Sequence, residues 1–348
     1  MAGEHVQLDI STGTITKVIL LILVFVFLYI LKDVLIIFLF AIVIASGISP
    51  FANWLDERGF PRVLGVLGLY LTFLGLTVIV LSLVVPYVSD DVGRLIGVLP
   101  NVVERVSSTL ENAQHSSPQY FDFLSEIQNI LSSFSSYLQQ ASQSVVGLIV
   151  SIFGGVFSFF AILVISFYLS VTHKGIEVFL GSVVPEKYES YVVSLWKRTE
   201  IKVGKWLQAQ LLLCLIVGLM VYVGLSLMHI KFALLLSLVV MVLELVPMVG
   251  PVVAAIPAVG LAFLQSPVLG LWVIGLYVVV QQLENHILVP LIFGRTLNLN
   301  PVVIIIALLV GERLAGIPGM ILAVPVSTII VEILDDVARQ KESRRTNT

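Results

Sequence analysis

Acidic side chains interrupt long apolar stretches of this 348-residue sequence at three separate places. Glu244 follows a largely apolar run of twelve residues, Glu284 lies in the polar patch QQLENH, and Glu312 directly precedes Arg313. An ionisable group inside a membrane costs roughly 2.5–3.5 kcal/mol on insertion scales, so each of these acids needs a reason to be there. A carboxylate in a dry site has its charged form disfavoured, and can exchange a proton or bind a cation.

Each acid also has a simpler interpretation. Glu312 and Arg313 can pair with each other or face water at a loop, and Glu284 can cap a helix end. Glu244 is the hardest to explain in this way, because a Pro/Gly breaker follows it. The residues predicted to line a substrate or ion pathway are these acids and their polar, Pro and Gly neighbours: Glu244, Pro247, Gly250, Pro251, Glu284, Asn285, Glu312, Arg313, Gly316 and Gly319.

Other kinds of chemistry find no support in the sequence. The HExxH, GxGxxG and GxSxG motifs are absent, and the five histidines are dispersed without metal-ligand spacing. Cys214 is the only cysteine, so neither a disulfide framework nor a Cys/His metal cluster can form. The net charge of −3 and the scattered basic residues give no nucleic-acid surface. We expect a protein that is not an enzyme, with no catalytic residues, metal, cofactor or nucleic-acid partner.

The composition points to lipid as the solvent. Hydrophobic residues make up 58% of the chain and charged residues 12%, whereas soluble domains carry about 25% charged residues. The N-terminus has no small-residue cleavage site after its first apolar run, so we expect that run to stay as a membrane helix. The predicted fold is an all-α polytopic membrane protein with about six spanning helices, two re-entrant hairpins and an extracytoplasmic amphipathic helical insert, giving up to eight or more membrane segments.

The order of apolar and polar stretches predicts the domain boundaries. A single helix over 15–48 would be about 51 Å long, against a hydrocarbon core of about 30 Å, so we predict a turn at Lys32-Asp33. Residues 87–146 show leucines at helical spacing among serines and acids, which predicts two helices outside the bilayer that pack on each other or pair between subunits. The predicted segments are N-terminal membrane helices (1–86), the insert (87–146), a membrane helix (147–171), a basic cytoplasmic loop (172–205), a membrane core (206–334) and a cytoplasmic tail (335–348).

Two segments of this core, 232–264 and 301–333, each contain two short apolar arms around a Pro/Gly tip. An arm of twelve residues is about 18 Å long, too short to cross the bilayer. Such pairs are typical of re-entrant hairpins, whose tips must be buried in protein or line a watery cavity. Two ordinary kinked helices are the alternative. We predict that the tips at 247–251 and 315–319 approach each other near mid-membrane from opposite sides.

A shift of 68 residues relates the two hairpins, because it superposes Glu244 on Glu312 and Pro257 on Pro325. An odd number of predicted crossings lies between the two copies, which would therefore be inverted in the membrane. Inverted repeats with broken helices are typical of secondary transporters. In this topology fourteen Lys and Arg residues fall on one side and four on the other, with one in a tip. The positive-inside rule makes both termini cytoplasmic and places the insert outside.

Three motifs near the C-terminus carry a family resemblance: ELVPMVGPVVAAIPA at 244–258, ENHILVPLIFGRTLNLNPVV at 284–303 and GERLAGIPGMILAVPV at 311–326. With ISPFANWLDERGFPR near the N-terminus and WLQAQLLL before the hairpins, they resemble the autoinducer-2 exporter family over essentially the whole chain. One departure is Ala209, where the family pattern has glycine, which puts close helix packing there in doubt.

The resemblance implies a secondary transporter, or permease, that spans the inner (plasma) membrane many times. It also implies a homo-oligomer, with a pentamer among the expected states. Members of the family are linked to export of the quorum-sensing signal autoinducer-2, and some to Na⁺(Li⁺)/H⁺ antiport. The expected partners are therefore the lipid bilayer, a small solute and a coupling ion, H⁺ or Na⁺. A passive channel is the alternative of another class, because Asn300-Pro301 is similar to the start of a channel half-helix.

Overall fold

The structure, a computed structural model, describes four stretches of the chain and five isolated positions between 82 and 133: residues 12–80, 155–172, 175–294 and 300–346. Every regular element in these stretches is helical, which confirms the predicted all-α membrane fold. The extracytoplasmic insert predicted at 87–146 lies outside the described residues, apart from isolated positions.

Three helices form the N-terminal part. Helix α1 (Thr12–Ile30) and helix α2 (Lys32–Asp56) are separated at Leu31, next to the turn that the sequence predicts. Helix α3 (Arg62–Val80) follows the Arg-Gly-Phe-Pro breaker, where Gly59 adopts a left-handed conformation with φ of 85°. Glycine reaches this region without steric cost, so the breaker both ends α2 and redirects the chain.

Helix α4 (Val156–Val171) is followed, after a bend of 88°, by the short helix α5 (Gly175–Val183). Helix α6 (Glu186–Leu227) then runs unbroken for 42 residues, about 63 Å. This is twice the thickness of a hydrocarbon core, so about half of α6 must extend beyond it. The predicted division between a loop at 172–205 and a core starting at 206 falls inside this helix. The helix is continuous there because no glycine kink and no proline interrupts it.

The first hairpin consists of α7 (Ala233–Leu243) and α8 (Val249–Gln265), which pack against each other. The chain reverses over five residues, with Met248 in a left-handed conformation at φ of 67°. Gly250 closes the turn, because a Cβ atom there would collide with the carbonyl oxygen of Leu243. The glycine of the Pro/Gly motif therefore allows the two arms of the hairpin to approach each other at this tip.

Helix α9 (Pro267–Phe293) begins at a well-formed N-terminus, where the Ser266 hydroxyl accepts a hydrogen bond from the Leu269 N–H at 3.1 Å. The helix passes through a π-helical turn at Glu284–Leu288. Such turns place one extra residue in the helix and occur frequently at functional sites.

The second hairpin lies within α10 (Pro301–Thr346), which reverses at Ala315 and Gly316. Gly311 and Gly319 meet back to back, since a Cβ atom on either would collide with the carbonyl oxygen of the other. Residues eight apart in a straight helix would be separated by about 12 Å, so this contact requires the chain to fold back. The second arm is helical to the end of the described chain and includes most of the predicted tail.

Five described helices (α2, α3, α6, α9 and α10) are long and apolar enough to cross a membrane, and the bent pair α4 and α5 makes a sixth. This agrees with the predicted number of about six, but the members differ, because the count includes α10, which contains the second hairpin, and leaves out α1. The re-entrant entry and exit of the two hairpins on one membrane face stays a prediction. Helix α6 is central, because α2, α5, α7, α9 and α10 all pack against it.

Candidate functional site

Glu244 is the first residue after α7 and lies at the start of the first hairpin's tip. Its side chain has 0% exposure, and neither carboxylate oxygen has a hydrogen-bond partner among the described residues. Its backbone carbonyl, by contrast, accepts a hydrogen bond of 2.6 Å from Nε2 of Gln210. Most buried polar side-chain atoms in proteins are hydrogen-bonded, so an unpartnered buried carboxylate calls for an explanation.

Glu284 is the second buried acid, with 5% exposure, and it opens the π-helical turn of α9. Its Oε2 accepts a hydrogen bond of 3.1 Å from Nε2 of Gln281. Glu244 and Glu284 lie close enough to interact electrostatically. Two carboxylates in low dielectric repel each other when both are charged, so a shared proton or a bound cation lowers the energy of the pair.

Helix α6 provides the third side of this site through Gln210 and Cys214, which are one turn apart and buried. The Cys214 thiol lies within electrostatic range of both acids. At 1.5 Å per residue, Gln210 lies about 25 Å from the end of α6 at Leu227, and Glu284 lies the same distance from the start of α9. Gln210 of α6 binds the backbone of Glu244, and Glu284 of α9 interacts with the same residue, so both helices place polar groups beside the first tip.

An apolar cluster closes the site on the side of the α6–α7 connection. It is formed mainly by aliphatic side chains of α6 to α9, including Leu213, Val217, Val221, Leu225, Leu236, Val240 and Val273. The Tyr277 hydroxyl is buried against this cluster without a hydrogen-bond partner in the described ranges. Tyr277 precedes Glu284 by two turns and lies on nearly the same face of α9. Tyr277 was not singled out from the sequence, although its seven-residue spacing from Glu284 indicates that both side chains lie on one face of the helix.

The other predicted residues of the first tip shape the site without offering charge. Gly250 and Pro251 are buried at the start of α8, and Pro247 is half-buried within the turn. Asn285, by contrast, is exposed, and its side-chain oxygen lies 3.5 Å from the Gln281 amide. Asn285 therefore lies on the exposed face of α9 and is linked to Glu284 through the Gln281 amide, which donates to both side chains.

The second tip does not join the site. Glu312 and Arg313 are exposed, Arg313 at 88% of its side chain, and they pair with each other at 3.6 Å. Gly316 provides the positive φ of 60° at the reversal, and Gly319 provides the close approach of the two arms. The simpler interpretation, mutual pairing at a loop, therefore describes Glu312 and Arg313.

The two hairpins touch beside the first tip, and the approach of the tips at 247–251 and 315–319 near mid-membrane stays a prediction. Val246 of the first tip packs against Leu308 and Ala323, which belong to the two arms of the second hairpin. Within the described ranges, no three His, Cys, Asp or Glu side chains come together as metal ligands. Of the three acids predicted from the sequence, the structure brings Glu244 and Glu284 together.

A second charged cluster, which we call the charge clamp, joins α6 to α10 and consists of Arg198, Lys202, Glu332 and Asp336. The Arg198 guanidinium binds both carboxylate oxygens of Asp336, at 3.1 and 2.6 Å, and reaches Glu332 at 3.3 Å. Lys202 pairs with the other oxygen of Glu332. Both acids are buried. Sequence reasoning missed the clamp, although each helix carries its two charges at an (i, i+4) spacing, which puts them on one face.

Comparison with known proteins supplies the family. The model of the AI-2E family transporters matches residues 18–339, nearly the whole chain. The chain belongs to the AI-2E family. This AI-2E protein is accordingly a multi-pass membrane protein of a transporter family, as the motifs around both hairpins indicate.

Curated relatives of this AI-2E protein support the assignment. "Putative transport protein YueF" of Bacillus subtilis (strain 168) is 31% identical over 293 residues, which cover 81% of this chain and 79% of the relative. "Putative transport protein YrrI" of the same organism is 28% identical over 308 residues, 86% of each chain. "Putative transport protein YhhT" of Escherichia coli (strain K12) is 22% identical over 306 residues, 85% of this chain and 83% of the relative.

Proposed function

We propose that this AI-2E protein is a secondary transporter that exports a small solute across the inner (plasma) membrane, coupled to an ion gradient through Glu244 and Glu284. One observation carries the proposal: the Glu244 side chain is fully buried, and its carboxylate oxygens have no partner among the described residues. A group kept in so unfavourable an environment contributes little to stability. It is well suited to binding and releasing an ion.

The pair of acids gives ion binding a mechanical consequence. With one proton or cation bound, the charge on the pair falls, and the first tip can stay packed on the second hairpin through Val246. Without it, two like charges face each other in low dielectric and favour their separation. An ion that binds one arrangement better than the other shifts the population of the two. Movement of the tip would then open or close the path for the solute.

Autoinducer-2 is the first solute to test, because the family resemblance of the tip motifs implies it. Na⁺(Li⁺)/H⁺ antiport is a second candidate, which the electrostatic interaction between Glu244 and Glu284 favours. Two adjacent carboxyls can hold either protons or a monovalent cation in turn. A passive channel fits less well, since an apolar cluster fills the space on one side of the acids.

We propose further that both termini are cytoplasmic and that the protein forms a homo-oligomer, with a pentamer as the first state to test. Large apolar side chains are exposed along α1 and α3, among them Phe27 and Phe73. Such surfaces fit contact with lipid or with further copies of the chain. A transport role also agrees with the absence of soluble-enzyme motifs from the sequence.

Purified protein in liposomes distinguishes these functions. We expect autoinducer-2 to accumulate against its own gradient only when a proton or sodium gradient is imposed. Sodium-driven proton movement without solute, followed with a pH-sensitive dye, would support the antiporter instead. Solute flux that runs only downhill and needs no ion gradient would contradict the coupled mechanism. Glu312→Gln is the matched control, because this acid is exposed at the second tip and should not affect the rate.

A further inference from the structure

One side chain of helix α6 makes a hydrogen bond to the backbone of the first tip. Gln210 is 1% exposed, and its Nε2 donates to the backbone carbonyl of Glu244. This carbonyl belongs to the first residue beyond α7, so no further turn of the helix is available to bind it. We propose that Gln210 is a positioning residue that fixes the backbone of the tip, and with it the Glu244 carboxyl, against α6.

The inference rests on the proposed role of Glu244 but concerns a different atom. Gln210 bonds to the backbone of Glu244 and leaves both carboxylate oxygens without partners. Removing the Gln210 amide should therefore leave the Glu244 carboxyl group chemically unchanged. It should change only how firmly the backbone of the tip is held against α6. The second hairpin has no equivalent in the described residues, because Glu312 at the matching repeat position is exposed.

The same helix offers a matched control. Gln208 also donates its side-chain N–H to a backbone carbonyl of another helix, that of Gly47 in α2, at 2.8 Å. Both glutamines bridge from α6 to a neighbouring backbone, and only Gln210 bridges to the tip. Methionine has a similar length and volume but no N–H donor, so Gln210→Met and Gln208→Met each remove one hydrogen bond with little change in packing.

Backbone hydrogen exchange in nanodiscs, read by mass spectrometry, measures the tip directly. Gln210→Met should raise exchange of the tip amides, residues 244–250, roughly tenfold, because a lost hydrogen bond shifts local opening by about that factor. Gln208→Met should instead raise exchange near Gly47 and leave the tip unchanged. Equal tip exchange in the wild type and Gln210→Met would overturn the inference. So would equal loosening of the tip by both variants.

Gln210→Glu provides a second, pH-dependent variant. In its protonated form the new carboxyl can still donate to the Glu244 carbonyl, whereas the ionised form repels it. The groups facing this position are Glu244 of the tip, Glu284 of α9 and Cys214 on α6 itself. Relative to wild type at each pH, tip exchange should be normal in acid and raised in alkali. The pH profile of transport should shift in the same way, which loss of stability alone would not produce. Raised exchange at both pH values would contradict hydrogen-bond positioning.

The two proposals fail separately. If Glu244→Gln transports normally while Gln210→Met loosens the tip, positioning stands and the coupling role of Glu244 falls. If Glu244→Gln abolishes coupling while Gln210→Met leaves tip exchange and the pH profile unchanged, coupling stands and the positioning role falls. Should Gln210→Met fail to fold, Gln210→Glu compared in acid and in alkali decides the question on its own, because tip exchange equal to the wild type at both pH values would overturn the positioning role.

Discussion

Replacing Arg198 with methionine should loosen the charge clamp between α6 and α10. Arg198 makes two hydrogen bonds to Asp336 and one contact with Glu332, and both acids are buried. Removing the partner of a buried charge costs about 3–5 kcal/mol. The Arg198 side chain keeps 37% exposure, and Lys202 still pairs with Glu332, so water and the lysine screen part of the effect. We therefore expect Arg198→Met to lower the free energy of unfolding by about 2 kcal/mol, which is a factor of roughly thirty in the folded-to-unfolded ratio.

Lys197 provides the comparison, because it is the neighbouring cation on the same helix. It pairs with Glu177 at 3.2 Å, but its side chain is 51% exposed. Exposed pairs contribute about 0.2–1 kcal/mol, so Lys197→Met should cost less than half as much as Arg198→Met. Unfolding in mixed micelles, followed by the fluorescence of Trp196 and Trp206 on α6, measures both. The double variant Arg198→Met with Asp336→Asn should lose less free energy of unfolding than the two single variants lose together.

Equal costs for Arg198→Met and Lys197→Met would refute the reasoning, because burial of the acids would then make no difference. A double variant whose cost is the sum of its parts would also refute it, since the two side chains would not be interacting.

Two further predictions test the first hairpin and the topology. Gly250→Ala should lower the free energy of unfolding by about 1–3 kcal/mol or more, because the new Cβ atom would collide with the Leu243 carbonyl. Gly260→Ala on the same helix places its Cβ atom in open space and should be neutral or stabilising. Equal melting temperatures of the two variants would contradict the packing at the tip. In intact cells on a Cys214→Ser background, Ser117→Cys should react with a membrane-impermeant thiol reagent and Ser194→Cys should not; the reverse pattern would invert the proposed orientation.

Glu244 and Glu284 could be singled out from the sequence because acids are rare in apolar stretches and costly in lipid. Their closeness could not be predicted, since forty residues separate them and the contact depends on how the first hairpin and α9 pack beside α6. The two hairpins followed from short arms and Pro/Gly tips, and the structure shows the chain reversing at both.

Glu312 illustrates how a sequence repeat can mislead. It matches Glu244 under the 68-residue shift, and both hairpins close through glycine contacts with a neighbouring carbonyl. The environments nevertheless differ, because Gln210 of α6 binds the backbone of the first tip while the second tip is exposed. Local sequence specifies the turn, and the neighbouring helix determines whether the acid is buried.

The charge clamp shows a different limit. The (i, i+4) spacing of Arg198 with Lys202 and of Glu332 with Asp336 was visible in the sequence. Their pairing is a tertiary contact between helices 130 residues apart, and no local pattern specifies it. The same holds for the continuity of α6, since a change from polar to apolar composition marks where a helix leaves water and not where it ends.

Glu244→Gln in liposomes tests the central claim most directly, because glutamine keeps the shape of the side chain while removing its titratable charge. Ion-coupled transport should be abolished while assembly and membrane insertion remain intact, and insertion can improve because the cost of a charge in lipid disappears. Glu284→Gln should weaken transport less, and Glu312→Gln should not affect it. Wild-type transport by Glu244→Gln, with an unchanged pH dependence, would remove this carboxyl from the mechanism and contradict the proposed coupling site.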